Sequence, residues 1–335
     1  MVSSPTQSSP QASLRGIYLA RVQQNVRICV EHYRLTLTLA GFPATVPGQF
    51  VQVDCRQHSA DPGPSYHEIA WPPAQAKGPL ILQDVDNLNP TAFLRRPFSL
   101  ADDRRLPGGG VEIDLIYRVV GKGTHYLETL LPGAEVSVLG PLGKGFALPA
   151  DAKVALLVGG GVGIPPMFYL AKHAHAAGRA AVAFIGAQRA ELLPLTLGSC
   201  QPAARADGAP VLNAHEFANW GYPSVITTDD GSMGMKGFVT QALEQWLTGQ
   251  FAAGKLTPAD MVVYCCGPTP MMKATAAVAR KHNVVCQVSL EQPMACGMGT
   301  CQSCVVRYYP PGASDWVYKL TCTDGPVFDS RALKW

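Results

Sequence analysis

Val154-Ala155-Leu156-Leu157-Val158-Gly159-Gly160-Gly161-Val162-Gly163 is the stretch on which the fold turns. Five apolar residues without a polar member read as a strand buried on both faces, the habit of a parallel sheet. The glycines follow at once, and Ile164-Pro165-Pro166 then opens a helical run through Leu170 to His175. Proline suits a first helical turn, where its missing N–H has no partner to lose. Strand, glycine-rich turn and helix start together make a seat for a nucleotide pyrophosphate. Helical N–H groups point at the anion, and glycine lets the backbone turn sharply and come close. The same pattern also serves as a tight strand-to-helix turn with no ligand.

The strand and helix alternation continues downstream. Ala181–Ile185 and Met261–Cys265 read as further strands and Thr269 to His282 as a helix, which predicts a doubly wound parallel sheet over residues 151–285. Cys200 to Phe217 is poorly patterned and reads as an irregular connection. Cys266-Gly267-Pro268 ends the Met261 strand, where Cys266 is either a small side chain facing a nicotinamide or a buried inert thiol. Gly159, Gly160, Gly161, Gly163, Cys266, Gly267 and Pro268 are thus the candidate NAD-binding residues. The acidic residue expected about twenty positions beyond the turn for ribose hydroxyls is missing. Gly186-Ala187-Gln188-Arg189 stands there instead, and Arg189 suits a 2′-phosphate as well as it suits solvent. NAD and NADP both stay open.

Upstream, residues 14–150 carry short alternating runs punctuated by Gly and Pro: Arg34–Leu39, Phe50–Val53, Val111–Val120 and Glu135–Leu139. Their β-branched and alternating residues predict an antiparallel β-barrel. Arg95-Arg96-Pro97-Phe98-Ser99-Leu100 lies among them. An Arg three residues before a Ser on a barrel strand can place a guanidinium on a flavin pyrophosphate and a hydroxyl near flavin N5, although Arg-x-x-Ser alone also occurs by chance. Tyr117-Arg118-Val119-Val120-Gly121-Lys122-Gly123-Thr124 adds an aromatic, a second Arg and a turn whose N–H groups suit phosphate. Cys55 to Pro90, rich in Pro, Asp, Gln and Gly, reads as a long surface insertion. Met1 to Ser13 reads as a disordered tail and not as a signal peptide.

Near the C-terminus, Cys296, Cys301 and Cys304 are spaced C-x4-C-x2-C, and Cys322 follows after a longer interval. This is the ligand spacing of a plant-type [2Fe–2S] cluster. Gly297 and Gly299 let the chain wrap the cluster and aim N–H groups at its sulfurs. Structural zinc is the alternative, although zinc ribbons pair their cysteines in two C-x2-C knuckles and only Cys301 and Cys304 are so paired here. Disulfides are a third arrangement. The remaining thiols, Cys29, Cys55, Cys200, Cys265 and Cys286, read as ordinary core cysteines. Glu291 stands just before the loop, either orienting it or solvated.

The composition agrees with this division. A chain of 335 residues, 47% hydrophobic, is long enough for two or three domains. A net charge of +3, unclustered, argues against a nucleic-acid surface. No apolar stretch reaches membrane-span length without Gly or Pro, and ten cysteines without a secretion signal predict a cytoplasmic, metal-using chain.

In order along the chain, these motifs resemble the electron-transfer subunits of the two-subunit, NAD-linked dihydroorotate dehydrogenases, within the ferredoxin–NADP reductase superfamily. Besides those quoted, the resemblance uses Thr228-Asp-Asp-Gly-Ser232, Ser289-Leu-Glu291 and Asp324-Gly-Pro-Val-Phe328. It implies an FAD-binding barrel, an NAD-binding α/β domain and a [2Fe–2S] domain over residues 286–335. It implies FAD contacts from Arg96, Pro97, Phe98, Ser99, Ile116, Tyr117, Arg118, Gly123 and Thr124, and cluster ligation by Cys296, Cys301, Cys304 and Cys322. It also implies a catalytic FMN-containing partner that oxidises dihydroorotate, in a heterotetramer with two copies of each subunit, serving pyrimidine biosynthesis. Electrons entering singly at the cluster would leave as hydride from FAD to NAD, a step that calls for no general acid or base on this chain. The alternative is an NAD(P)H-dependent reductase subunit serving ferredoxin, a hydrogenase or sulfur reduction. The Cys55–Pro90 segment departs from the family pattern.

Overall fold

The computed structural model describes residues 15–56, 94–198 and 204–335. The expected N-terminal tail and nearly all of the Cys55–Pro90 insertion lie outside these residues.

The first unit is a closed barrel of six antiparallel strands: β1 (Gly16–Cys29), β2 (His32–Ala40), β3 (Phe50–Val53), β4 (Arg96–Arg105), β5 (Gly110–Arg118) and, after helix α1 (Lys122–Glu128), β6 (Glu135–Leu142). Around the barrel they run β1-β2-β5-β4-β3-β6. Alternation builds its core, since every second side chain on a strand faces the same way. Leu35, Leu37 and Leu39 of β2, Val51 and Val53 of β3, and Val111, Ile113, Leu115 and Tyr117 of β5 point inward and are almost wholly buried. The strand expected over Val111–Val120 stops at Arg118, and Lys122-Gly-Thr, expected as part of a turn, begins α1. Thr124 explains the difference. Its hydroxyl accepts the N–H groups of Val120 and Gly121 and donates to the Gly121 carbonyl, turning the chain into a helix start.

The second unit begins with β7 (Val154–Gly160), α2 (Pro165–Ala176) and β8 (Ala180–Ala187). After the short α3 (His215–Ala218) come β9 (Ser224–Thr228), β10 (Met235–Lys236), α4 (Val239–Ala252), β11 (Met261–Cys266), α5 (Thr269–Lys281) and β12 (Val285–Ser289). The sheet order is β10-β9-β8-β7-β11-β12, with all these pairs parallel. Met167, Leu170 and Ala171 of α2 and Phe217 of α3 cover one face; Ala242, Leu243 and Leu247 of α4 and Met272 and Ala279 of α5 cover the other. Apolar surface on both faces is why these strands read as unbroken hydrophobic runs.

The last segment forms a hairpin, β13 (Val305–Tyr308) with β14 (Val317–Leu320), and then β15 (Val327–Asp329). β15 returns to the parallel sheet as its antiparallel edge, pairing Val288 with Phe328. The expected boundary between 285 and 286 therefore falls at the start of β12, inside the sheet. The barrel and α2 share a buried contact: the Tyr169 hydroxyl bonds the Thr45 hydroxyl at 2.7 Å, and Lys172 Nζ meets Asp102 at 2.7 Å.

Candidate cofactor and metal sites

In the parallel sheet the chain leaves β7 toward β8 on one side and β11 lies on the other, so the strand order reverses between β7 and β11. Ligands of open α/β sheets bind at the carboxyl ends of the strands flanking such a point. Both candidate nucleotide segments are found there. Gly159 sits opposite Cys266, and the glycine-rich turn and Cys266-Gly267-Pro268 leave their strands side by side. A Cβ on Gly163 would overlap the Cys266 carbonyl, and one on Gly159 would stand 2.9 Å from Ile164 Cα. Gly161 has φ +55°, a backbone conformation that favours glycine. These glycines let two backbones touch and leave the turn's N–H groups at the head of α2, where Pro165 and Pro166 occupy the first turn as expected. The Cys266 thiol is buried, which pushes its pKa up to about 12; the Ser289 hydroxyl beside it opposes this. It is therefore a neutral, small side chain at physiological pH.

Thr228-Asp-Asp-Gly-Ser232 carries part of the family resemblance, but the sequence alone does not place it in the fold. Asp229 and Asp230, just past β9, hydrogen-bond through their N–H groups to Ala187 and Gln188, so they stand beside the end of β8. That is where an acidic residue was sought and not found by counting along the chain. The Ser232 hydroxyl and N–H hold the Asp230 carboxyl below its usual range, with Arg189 adding to the effect. Arg189 itself pairs with Glu191 at 2.9 Å.

The candidate flavin residues gather on the barrel. A Cβ on Gly123 would lie 3.1 Å from Arg96 Cγ, so the head of α1 and the Arg96–Ser99 strand touch. Ser99 lies opposite Phe50, and Pro97 opposite Gln52, on one face of the sheet. Arg118 pairs with Glu31 at 2.7 Å. Tyr117 behaves differently from its sequence reading as an available aromatic. Its ring is buried inside the barrel, stacked on Tyr33 at 5.8 Å and edge-on to Phe98 at 6.0 Å, with its hydroxyl on Asn25. The backbone of Ile116 to Arg118 and the half-exposed Arg118 side chain are left to meet a ligand. Two N–H groups of the Gly121 turn are already taken by Thr124.

The four closing cysteines come together as two pairs. The Cys301 N–H donates to Cys296 Sγ at 3.4 Å, and the Cys322 N–H donates to Cys304 Sγ at 3.4 Å. Met298 adds a second donor to Cys296 Sγ at 3.4 Å. Gly297 and Gly299, at φ +68° and +91°, permit this wrapping. The Cys301 thiol is lowered to about 6, first by the Ser303 hydroxyl 3.2 Å away and then by neighbouring N–H groups. Cys304 and Cys322 are buried with Phe50, Leu139 and Leu142 of the barrel. Burial and the neighbouring Cys304 push the Cys322 thiol up to about 12. Among the described residues no three His, Cys, Asp or Glu side chains converge as on a single ion. Two thiol pairs with N–H donors aimed at sulfur fit a binuclear centre, in which each iron takes two thiolates, better than tetrahedral zinc.

Among the described residues no helix is long and apolar enough to cross a membrane.

Comparison with known proteins agrees with the geometry. The model for the iron–sulfur cluster binding domain of dihydroorotate dehydrogenase B matches residues 291–334, and that for the oxidoreductase NAD-binding domain matches residues 157–277. The electron transfer subunit of dihydroorotate dehydrogenase B (NAD(+)) from Caldanaerobacter subterraneus subsp. tengcongensis is 32% identical over 92% of this chain and 95% of its own length. Its counterpart from Geobacillus kaustophilus is 41% identical over 70% of this chain and 78% of its own. Among solved structures, the NADH-dependent reduced ferredoxin-NADP oxidoreductase superimposes with a TM-score of 0.65 and 27% identity, covering 95% of this chain and 90% of that one. A ferredoxin NADP+ reductase from Neisseria gonorrhoeae shares the fold alone, with a TM-score of 0.52 and 15% identity over 81% of this chain and 92% of that one.

Proposed function

Because this chain belongs to the family of dihydroorotate dehydrogenase B electron transfer subunits, we propose that it connects a dihydroorotate-oxidising partner to NAD+ and so serves pyrimidine biosynthesis. The observation that carries the reading is the seating of the cysteine loop on the barrel face that also bears the Arg96–Ser99 strand. When bound, a [2Fe–2S] cluster supplies single-electron exchange and FAD supplies the conversion between single electrons and hydride that nicotinamide requires. The chain is accordingly the electron-transfer component of an oxidoreductase and works with a catalytic subunit.

Its residues divide the work as follows. Cys296, Cys301, Cys304 and Cys322 hold the iron. Arg96 sets a guanidinium for the flavin pyrophosphate, Ser99 offers its hydroxyl to the flavin ring, and the backbone of Ile116 to Arg118 with Gly123 and Thr124 closes the seat. Gly159 to Gly163 receive the dinucleotide pyrophosphate, and Cys266 to Pro268 line the nicotinamide side. Asp229 and Asp230 are suited to ribose hydroxyls, which favours NAD over NADP. We divide the chain into a barrel of residues 15–150, a nucleotide unit of 151–290 that β15 completes, and a cysteine unit of 291–326. The partner is an FMN-containing subunit, joined as two copies of each, in the cytoplasm.

The test is reconstitution. Mixed with a purified dihydroorotate-oxidising FMN subunit, the chain carrying FAD and iron should reduce NAD+ at the expense of dihydroorotate. No NADH from fully loaded subunits would reject the assignment. The likeness to the NADH-dependent ferredoxin-NADP oxidoreductase makes ferredoxin the acceptor to try next.

A further inference from the structure

Gln52 is a buried polar residue that the reading so far leaves without a role. It lies in the middle of β3, is 0% exposed, and neither its carboxamide nitrogen nor its oxygen has a hydrogen-bond partner on the protein. Its neighbours Val51 and Val53 point into the barrel core, so alternation turns Gln52 outward, on the side where Phe50 packs against Cys304 and Cys322. Across β4 it faces Pro97, within the Arg96–Ser99 strand. On its other side is the cysteine loop: a Cβ built on Gly297 would lie 2.7 Å from Gln52 Cδ, 2.8 Å from Oε1 and 3.0 Å from Nε2, so the whole carboxamide lies against the loop. Gly297 is at φ +68° and directly follows Cys296. The carboxamide is therefore sealed between the flavin strand and the cluster loop.

A buried carboxamide carries its full desolvation cost unless something accepts its N–H. The chemistry beside it supplies such an acceptor. Thiolate and sulfide sulfurs accept hydrogen bonds and cannot donate them, and a thiolate-ligated [2Fe–2S] centre carries net negative charge that grows when an electron arrives. Donors to sulfur therefore favour the reduced form. Met298 and Cys301 already donate to Cys296 Sγ from the loop side. The barrel side offers Gln52.

We propose that Gln52 is a tuning residue for the iron–sulfur centre, its side-chain N–H donating to sulfur at the Cys296 end and making the centre easier to reduce. This rests on the assignment of the four thiols to a [2Fe–2S] cluster. It places one barrel side chain between both redox groups: Gln52 stands opposite the strand proposed to seat the flavin and sets the potential of the cluster.

The experiment uses the full chain with both cofactors and compares wild type with Gln52→Leu and Gln52→Met. Redox titration followed by EPR should show the cluster midpoint lowered in both variants. The expected size is about a tenfold change in the reduction equilibrium, or about 59 mV for one electron. Iron content and flavin potential should stay at wild-type values. Two differently shaped apolar replacements shifting alike assign the effect to the lost N–H. A shift in one alone, or wild-type potentials in both, overturns the inference while leaving the cluster in place. Absence of iron from the reconstituted wild type would remove the cluster assignment and this inference with it. If the variants fail to fold, pulsed EPR on the reduced wild-type holoprotein decides, using glutamine-carboxamide 15N label in a Gln302→Asn background. A nitrogen coupling supports the contact; its absence overturns it.

Discussion

Cys301 is the exposed member of the cysteine set, with its thiol held near 6 by Ser303, whereas Cys304 and Cys322 are buried against the barrel. An exposed ligand can be removed with little loss of packing. Cys301→Ala should therefore cut iron content at least about tenfold, measured by elemental analysis. The same variant should block transfer to a dihydroorotate-oxidising subunit yet leave reduction of bound FAD by NADH intact. Loss of that flavin reduction in a folded variant would show that the order of carriers is wrong. The buried thiols away from the cluster make a different point. Burial pushes Cys266 and Cys286 up to about 12 from 9.0. Below pH 9 both folded and unfolded chains keep these thiols protonated; above it only the unfolded chain ionises them. Stability is thus full below pH 9 and is lost as pH rises toward 12. The urea midpoint of the chain should fall between pH 9 and 11, and in Cys266→Ala, Cys286→Ala it should fall less steeply. The spacing of the four candidate ligand cysteines was legible in the sequence, and so was the use of glycine between them. The neutral state of Cys266 was not, because it depends on which strands bury it.

At the scale of elements, the turn from β7 to α2 is legible because every requirement is local: an apolar strand, glycines, and prolines that begin a helix. Its contact with Cys266-Gly267 is not local, joining segments about a hundred residues apart. Gly163→Ala pushes a methyl group into the Cys266 carbonyl, a cost of about 1–3 kcal/mol in overpacking. Steady-state kinetics with NADH should show KM raised about tenfold or more, the equivalent of about 1.4 kcal/mol, while flavin and iron contents hold. Unchanged KM would place the nucleotide elsewhere. The edge strand β15 is one of several elements, with β1, β9, β12 and α4, that the pattern reading did not name, and its three residues carry no periodicity to read. Phe328 anchors it in the core of the sheet beside Val288. Phe328→Ala should cost about 3–5 kcal/mol and lower the thermal midpoint of the whole protein, because the cysteine unit loses its tie to the sheet. A melting point within error of wild type would show that this edge is dispensable.

At the scale of the whole molecule, three units share interfaces instead of hanging from linkers. α2 reaches the barrel through the buried Tyr169 hydroxyl and through Lys172. The cysteine loop reaches it through Phe50, Leu139 and Leu142. Tyr169→Phe leaves the Thr45 hydroxyl and carbonyl short of a buried partner, a loss of about 1–3 kcal/mol. Calorimetry should show the barrel and nucleotide units melting at a lower temperature, with cofactor contents at 25 °C unchanged. Identical melting would mean that the hydroxyl contact adds nothing to the join.

The amino-acid sequence alone determined the architecture of barrel, parallel sheet and cysteine unit, the four candidate ligand thiols and the two glycine-dependent turns. These follow from short-range rules: the period of apolar residues, the conformations open to Gly and Pro, and the spacing that lets thiols meet one metal centre. Tertiary structure alone decided that Tyr117 is core, that Asp229 and Asp230 stand at the end of β8, that β15 closes the sheet, and that Gln52 lies sealed between flavin strand and cluster loop. Each depends on which distant segments pack together, and burial between units is a property of that packing and not of any local pattern.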